Sequence, residues 1–271
     1  MPIRVVLERK PELEQTDIKN SIEAIFPADV AETSTDRFLG ILDRLMENGR
    51  EEIIVDCSKL GRVTSSHINI LWQARLKCID MNVSMKLGHV TPELIRVLKV
   101  LDLYDIFLSD KKDIAENTQR IKIPPPDSRI GNLELDFMAT VEGIEDTLKE
   151  FRRFLRKISI PRLIASELET VYYEVATNIR LHGKGDPAAP ANFSALSDVD
   201  KITMRFKYFG QAFDPVAHQE DFDPRSVAAQ RKKRGYGLVM IKRMTDSMSY
   251  QREENNINLL ILEKRWRFPN E

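Results

Sequence analysis

The chain has 271 residues, with 41 Lys plus Arg against 42 Asp plus Glu and a formal net charge of -1, so there is no overall attraction to nucleic acid or anionic lipid. That length suits two domains of roughly 100 to 200 residues each, and no apolar run approaches the roughly 18 residues of a membrane-spanning helix. Charge interrupts Met1-Pro-Ile-Arg-Val-Val-Leu-Glu-Arg-Lys10 too early for a signal peptide. The two cysteines, Cys57 and Cys78, fall in a strand-like run and on a helix, without metal-ligand spacing. Reduced, buried thiols in a cytoplasmic protein are the expectation, with no direct nucleic-acid or membrane partner.

In chain order, Phe38, Ile41, Leu42 and Leu45 give helical spacing to residues 34–48. Ile53-Ile-Val-Asp-Cys57 reads as a buried strand and Val83-Ser-Met-Lys-Leu87 as an alternating one. Between them Ile68, Leu71, Trp72, Leu76 and Ile79 predict a helix with one buried face. Thr91-Pro92 is a helix start, with Leu94, Val97, Leu98 and Leu101 directed inward. The first half is therefore expected to be a mixed sheet with helices packed on it.

Ile121-Lys-Ile-Pro-Pro-Pro-Asp-Ser-Arg-Ile-Gly-Asn132 follows, where three prolines argue for an extended connector. The expected division is residues 1–120, a linker at 121–132, and residues 133–271. The second half opens with a strand at Leu133–Met138 and a helix striped by Val141, Ile144, Leu148, Phe151 and Leu155. Ser166 and Glu169 have capping-box spacing ahead of a helix whose inward stripe is Leu168, Val171, Val175 and Ile179. Glu174 and Asn178 lie one turn apart on that helix, a carboxylate and a carboxamide on one face. A carboxamide oxygen suits Mg²⁺, and a carboxylate can polarise a hydroxyl or water. Gly183 stops the helix, 185–192 reads as loop, and Lys201–Tyr208 alternates as a strand. Residues 223–234 suit a lid, and a helix over 239–244 precedes strands at 247–252 and 257–265.

The order of these pieces carries a resemblance. Glu174 and Asn178, then Leu181-His182-Gly183, then Phe209-Gly210-Gln211-Ala212-Phe213-Asp214-Pro215, then Gly235-Tyr236-Gly237-Leu238 are similar to the N-box and the two glycine boxes of the Bergerat-fold (GHKL) ATPases. That superfamily includes histidine kinases and anti-sigma factor serine kinases. The resemblance implies an α/β sandwich with helices on one face of a mostly antiparallel sheet, and ATP with Mg²⁺ as cofactors. Glu174 would then activate the attacking group and Asn178 would ligate the metal. Gly210, Gly235 and Gly237 would admit the nucleotide, with Arg231, Lys232, Lys233 and Arg234 beside its phosphates. One departure stands out: the aspartate that accepts a hydrogen bond from the adenine amine is replaced by Tyr208. Losing a buried acceptor costs about 1 to 3 kcal/mol, roughly a 5- to 150-fold loss of affinity.

The first half resembles a STAS domain, the fold of anti-sigma factor antagonists, through the turn Leu60-Gly61-Arg62-Val63-Thr64-Ser65-Ser66-His67-Ile68 and the helix led by Thr91-Pro92. The family turn reads Asp-Ser-Ser-Gly-Leu; Thr64 stands for the Asp and His67 for the Gly. By position Ser66, with Ser65 beside it, is the phosphoacceptor, at a helix start where the dipole favours negative charge by roughly 0.3 to 1 kcal/mol. An ordinary helix cap remains the alternative for these serines. Together the resemblances imply a partner-switching regulator, an antagonist-like domain fused to an anti-sigma factor kinase-like domain. Its partners would be a sigma factor, an antagonist or its own STAS-like half, and a homodimer is left open. A second reading is a non-catalytic docking module with a degenerate nucleotide pocket. A histidine kinase core is disfavoured, because no helix with a phosphoacceptor histidine precedes Glu174.

Overall fold

A computed structural model describes residues 3–5, 21–26, 32–49, 51–108, 126–183, 189–217 and 236–266. They fall in two compact units, one made of the described residues of Met1–Asn117 together with Tyr236, the other of those in Thr118–Phe222 and Gly237–Glu271.

The first unit has a four-stranded sheet in the order β1 (Ile3–Val5), β2 (Ser21–Ile25), β3 (Glu52–Asp56), β4 (Ser84–Gly88). Every described pair is parallel, where the sequence suggested a mixed sheet. Helical crossovers account for the difference: α1 (Glu32–Glu47) returns the chain from β2 to β3 and α2 (Ser65–Asp80) from β3 to β4, each re-entering in the same direction. α3 (Pro92–Val100) and a single turn, α4 (Tyr104–Phe107), follow.

Phe38, Leu42, Ile53, Val55, Ile68 and Leu71 are fully buried, and Phe26 meets Phe38 edge-on at 5.2 Å. Thr91 caps α3 by accepting from the Leu94 N–H. The inward face of α2 differs from its expected stripe. Ile79 is 60 % exposed, and Ala74 and Cys78 are buried instead, so that face is set by 67/68, 70/71, 74 and 78. Cys57 and Cys78 are free and buried. Burial pushes both thiols up, Cys57 further aided by Asp56, and Cys78 to about 11 against the opposing pull of Arg75.

The second unit has a five-stranded antiparallel sheet, ordered β5 (Gly131–Phe137), β6 (Ala191–Ser197), β7 (Lys201–Phe209), β9 (Ile257–Arg265), β8 (Ser247–Arg252). α5 (Val141–Lys157) and α6 (Arg162–His182) lie between β5 and β6, and α7 (Tyr236–Met244) precedes β8. This is the expected α/β sandwich. Ile202, Met204 and Phe206 of β7 and Leu260 and Leu262 of β9 are buried, marking the inward face of the sheet. Tyr172 of α6 is fully buried among aromatic rings, 4.8 Å from Phe193 and 5.8 Å from both Phe151 and Phe206. Across the same helix Glu167 meets Lys264 of β9 at 3.1 Å, both largely buried.

Three expectations are corrected here. α6 begins at Arg162 after Pro161, one turn before Ser166, because proline is suited to a helix start. Ser166 is thus inside the helix, and Glu169 instead accepts two hydrogen bonds from Arg152 of α5, at 2.8 and 2.9 Å. The stretch read as connector is already structured from Pro126: residues Pro126–Arg129 form a 3-10 turn, Arg129 is 1 % exposed, and its carbonyl accepts from the Ser197 hydroxyl at 2.6 Å. Finally, Ala191 and Asn192, read as loop, begin β6.

Candidate functional site

The packing of α6 fixes what its free face presents. Leu168, Val171, Tyr172, Val175 and Ala176 are buried, and the Tyr172 ring cluster pins the rotation of the helix about its axis. Glu174 is carried almost wholly inside, at 4 % exposure, rather than standing clear of the buried stripe. Asn178, one turn later, is half-buried. Its side chain makes no hydrogen bond among the described residues, so its oxygen is available as a ligand. His182 is exposed at the end of the helix.

At that end α6 is tied to the turn that follows β7. The Gln211 N–H donates to the Gly183 carbonyl at 2.6 Å, bringing the first glycine box to the end of the helix that bears Glu174 and Asn178. Gly210 has φ 153°, outside the range side chains favour, and its N–H donates to the Asn256 carbonyl at 3.1 Å. Beyond it Asp214 accepts from the Val216 and Ala217 N–H groups at 2.8 and 3.1 Å. The aspartate of the Phe-Asp-Pro segment thus serves to close a turn.

Tyr208 lies on the inward face of β7, in alternation with Ile202, Met204 and Phe206, and is half-buried. Desolvation, reinforced by Tyr250, pushes its phenol up to about 12 against the opposing effect of Arg252. Directly across on β9 is Asn258, completely buried, and beyond it Arg252 on β8. The Asn258 Oδ1 accepts from the Tyr250 hydroxyl and from Arg252 Nη1, each at 2.6 Å. Arg252 Nη1 also donates to the Gly210 carbonyl at 2.7 Å, and Arg252 Nη2 to Asn256 Oδ1 at 2.7 Å. This polar knot holds the Gly210 turn. It was missed in the sequence, although one signal was present: an asparagine at an inward position of an otherwise apolar strand.

Gly237 lies in the first turn of α7. Gly235, Arg234 and their basic neighbours 231–233 fall outside the described residues, as does the whole of the expected lid at 223–234. In the first unit Thr64 and His67, the two departures in the serine turn, are bonded to each other. The Thr64 N–H donates to His67 Nδ1 at 3.0 Å, and the Thr64 hydroxyl lies 2.7 Å from the same nitrogen. The imidazole is buried at 3 % exposure, leaving Ser66 exposed and Ser65 half-buried in the first turn of α2.

Residues 137–264 match the family model described as histidine kinase-like ATPase domain. The second unit carries a histidine kinase-like ATPase domain. Among solved structures, the SiaB-SiaC complex from Pseudomonas aeruginosa aligns at 20% identity and TM-score 0.38, over 51% of this chain and 90% of that one. The RsbU and RsbW domains of a Mycobacterium tuberculosis protein align at 14% identity and TM-score 0.37, over 50% of this chain and 32% of that one. No curated protein sequence matches. The domain match suggests a nucleotide site on the second unit. Among the described residues no cluster of three or more His, Cys, Asp or Glu could hold a metal, and no helix is long and apolar enough to cross a membrane.

Proposed function

We propose that the second unit binds ATP with Mg²⁺ and uses it to govern a protein partner. The observation that carries this reading is the backbone tie from Gln211 to Gly183, which sets the first glycine box beside the end of the helix bearing Glu174 and Asn178, within the ATPase-domain match. The residues fit the cofactor. Mg²⁺ keeps much of its shell in water and phosphate and needs only one or two protein oxygens, which the uncommitted amide of Asn178 can supply. Bound there, the metal would neutralise charge developing on the phosphates. Glu174, buried close to that amide, has the position of the base that accepts a proton from an attacking hydroxyl.

In the first unit the alternation of parallel strands and helices, with Ser66 exposed at the start of α2, is compatible with the antagonist-like STAS reading. On this proposal Ser66, here or in a separate antagonist, receives phosphate. The added charge, close to two negative units, breaks a contact with a sigma factor or another regulator. Fusion of the halves raises the effective concentration of one for the other. The exposed serine, the free Asn178 amide and the buried Glu174 favour a serine kinase of the anti-sigma factor type. Tyr208 favours the competing reading of a non-catalytic docking module.

Incubation with Mg²⁺, ATP and candidate antagonists, followed by mass spectrometry, tests the choice. Phosphate on Ser66 that disappears in Glu174→Ala while nucleotide binding persists supports the kinase. Asn178→Ala is expected to lose Mg²⁺-dependent binding as well as transfer. Nucleotide binding without phosphate on any partner leaves the docking module.

A further inference from the structure

We propose that His89 is a phosphoryl-accepting histidine, its Nε2 made the nucleophile by the buried carboxylate of Asp56. Two sources of the phosphoryl group fit that chemistry. One is ATP held by the second unit, of this chain or of another copy, which rests on the nucleotide reading above. The other is a free small-molecule donor, for which phosphoramidate is the probe and which needs no nucleotide site.

Asp56 ends β3 and pairs with Gly88, the last residue of β4. The Cys57 N–H donates to the Gly88 carbonyl at 2.9 Å, so the two strand ends are tied where the chain leaves them. His89 follows at once with φ 49°, a left-handed backbone that residues bearing a Cβ adopt uncommonly. Thr91 caps α3 two residues later, which leaves the histidine little slack between strand and helix. Its Nδ1 lies 3.3 Å from Asp56 Oδ1, and the imidazole is 66 % exposed while the carboxylate is wholly buried. The same oxygen accepts from the Ser58 N–H at 2.8 Å, which orients the carboxylate in turn.

A carboxylate at Nδ1 holds the ring proton on that nitrogen and leaves the lone pair of the neutral imidazole on Nε2. This is how a histidine nucleophile is oriented by a third group. Attack of the Nε2 lone pair on phosphorus forms an N–P bond and expels ADP from ATP, or ammonia from phosphoramidate. The ring then carries positive charge with its proton still on Nδ1, and the Asp56 carboxylate faces that charge from a site without water, where the attraction is strongest. The other described histidines differ. His67 is buried with Nδ1 bonded to Thr64, and His182 is exposed with no carboxylate partner among the described residues. His182 is therefore an internal standard for an ordinary surface imidazole.

The test incubates the full chain with phosphoramidate, or with ATP and Mg²⁺. Label is located by mass spectrometry at alkaline pH, where phosphohistidine survives, and again after acid, which removes it and spares phosphoserine. Phosphoramidate is expected to label His89 ahead of His182, and that lead should vanish in urea, where the pair is broken. Asp56→Asn, which keeps the shape and removes the charge, should bring His89 down to the rate of His182, and His89→Gln should lose the label. Should Asp56→Asn fail to fold, the comparison of folded and urea-treated chain decides. Equal labelling of His89 and His182 in the folded chain overturns the proposal, as does a lead that survives in urea or in folded Asp56→Asn. Acid-labile phosphate on His89 from ATP, absent in Glu174→Ala, assigns the second unit as donor. Label from phosphoramidate alone upholds the acceptor with a donor outside this chain, and if ATP then also fails to bind at millimolar concentration, it is the nucleotide reading that falls.

Discussion

His67 turns the start of α2 into a closed pair. With a glycine there, Thr64 would have no side chain to meet. With histidine, the Thr64 N–H and hydroxyl both find Nδ1, and the imidazole turns away from the exposed face that Ser66 occupies. Thr64→Ala is expected to destabilise the first unit by about 1 kcal/mol, the usual worth of a helix cap. Because the two residues share one hydrogen-bonded contact, a urea-denaturation cycle with His67→Leu should be non-additive, the double variant losing less than the sum of the singles. Ser66→Asp should leave stability unchanged or slightly raised, since exposed charge in a first turn meets the favourable end of the helix dipole. The same variant should weaken whatever partner this surface engages. A large loss of stability in Ser66→Asp would mean that the serine has a packing role its exposure does not suggest.

At the scale of elements, α6 is held at two levels, by the Tyr172 rings along its length and by the Glu167–Lys264 pair near its start. Removing one member of a buried pair strands the other, so Glu167→Ala should cost about 3 kcal/mol or more in chemical denaturation. Replacing both together, Glu167→Leu with Lys264→Met, should recover most of that loss; failure to recover would show that Glu167 acts through other contacts. Strong amphipathic periodicity made α1, α3, α5 and the body of α6 legible in the sequence, as did the run of β3 and the alternation of β7. β6 was not legible: Ala-Asn-Phe-Ser-Ala-Leu-Ser has little β propensity of its own and is a strand because β5 and β7 flank it. The Ser166–Glu169 spacing misled, since a cap is a property of the position and Pro161 had already started the helix. At the site, Glu174 and Asn178 could be read from a spacing of four. Asn258, Tyr250 and Arg252 could not be joined to Tyr208, because their meeting depends on which strands become neighbours.

At the scale of the molecule, the start of the second unit follows from Arg129. Its burial and the Ser197 hydroxyl on its carbonyl make Pro126–Arg129 part of the folded unit. Residues 126–271 are expected to unfold cooperatively as a fragment. Residues 133–271, which lack Arg129 and the first residues of β5, should have a melting temperature several degrees lower, as about 1 to 2 kcal/mol implies for a domain of this size. Equal melting of the two fragments would restore the later boundary. The sheet order has a further consequence, for the timing of synthesis. β9 is the latest of the unit's strands in chain order, yet it sits between β7 and β8, so neither neighbour can complete its ladder until Ile257–Arg265 has left the ribosome. Asn258, which anchors the Gly210 turn, arrives with it. A nascent chain stalled before that point would hold α6, with Glu174 and Asn178 already made, beside an open strand edge, and the ability to engage a nucleotide would appear late and in one step.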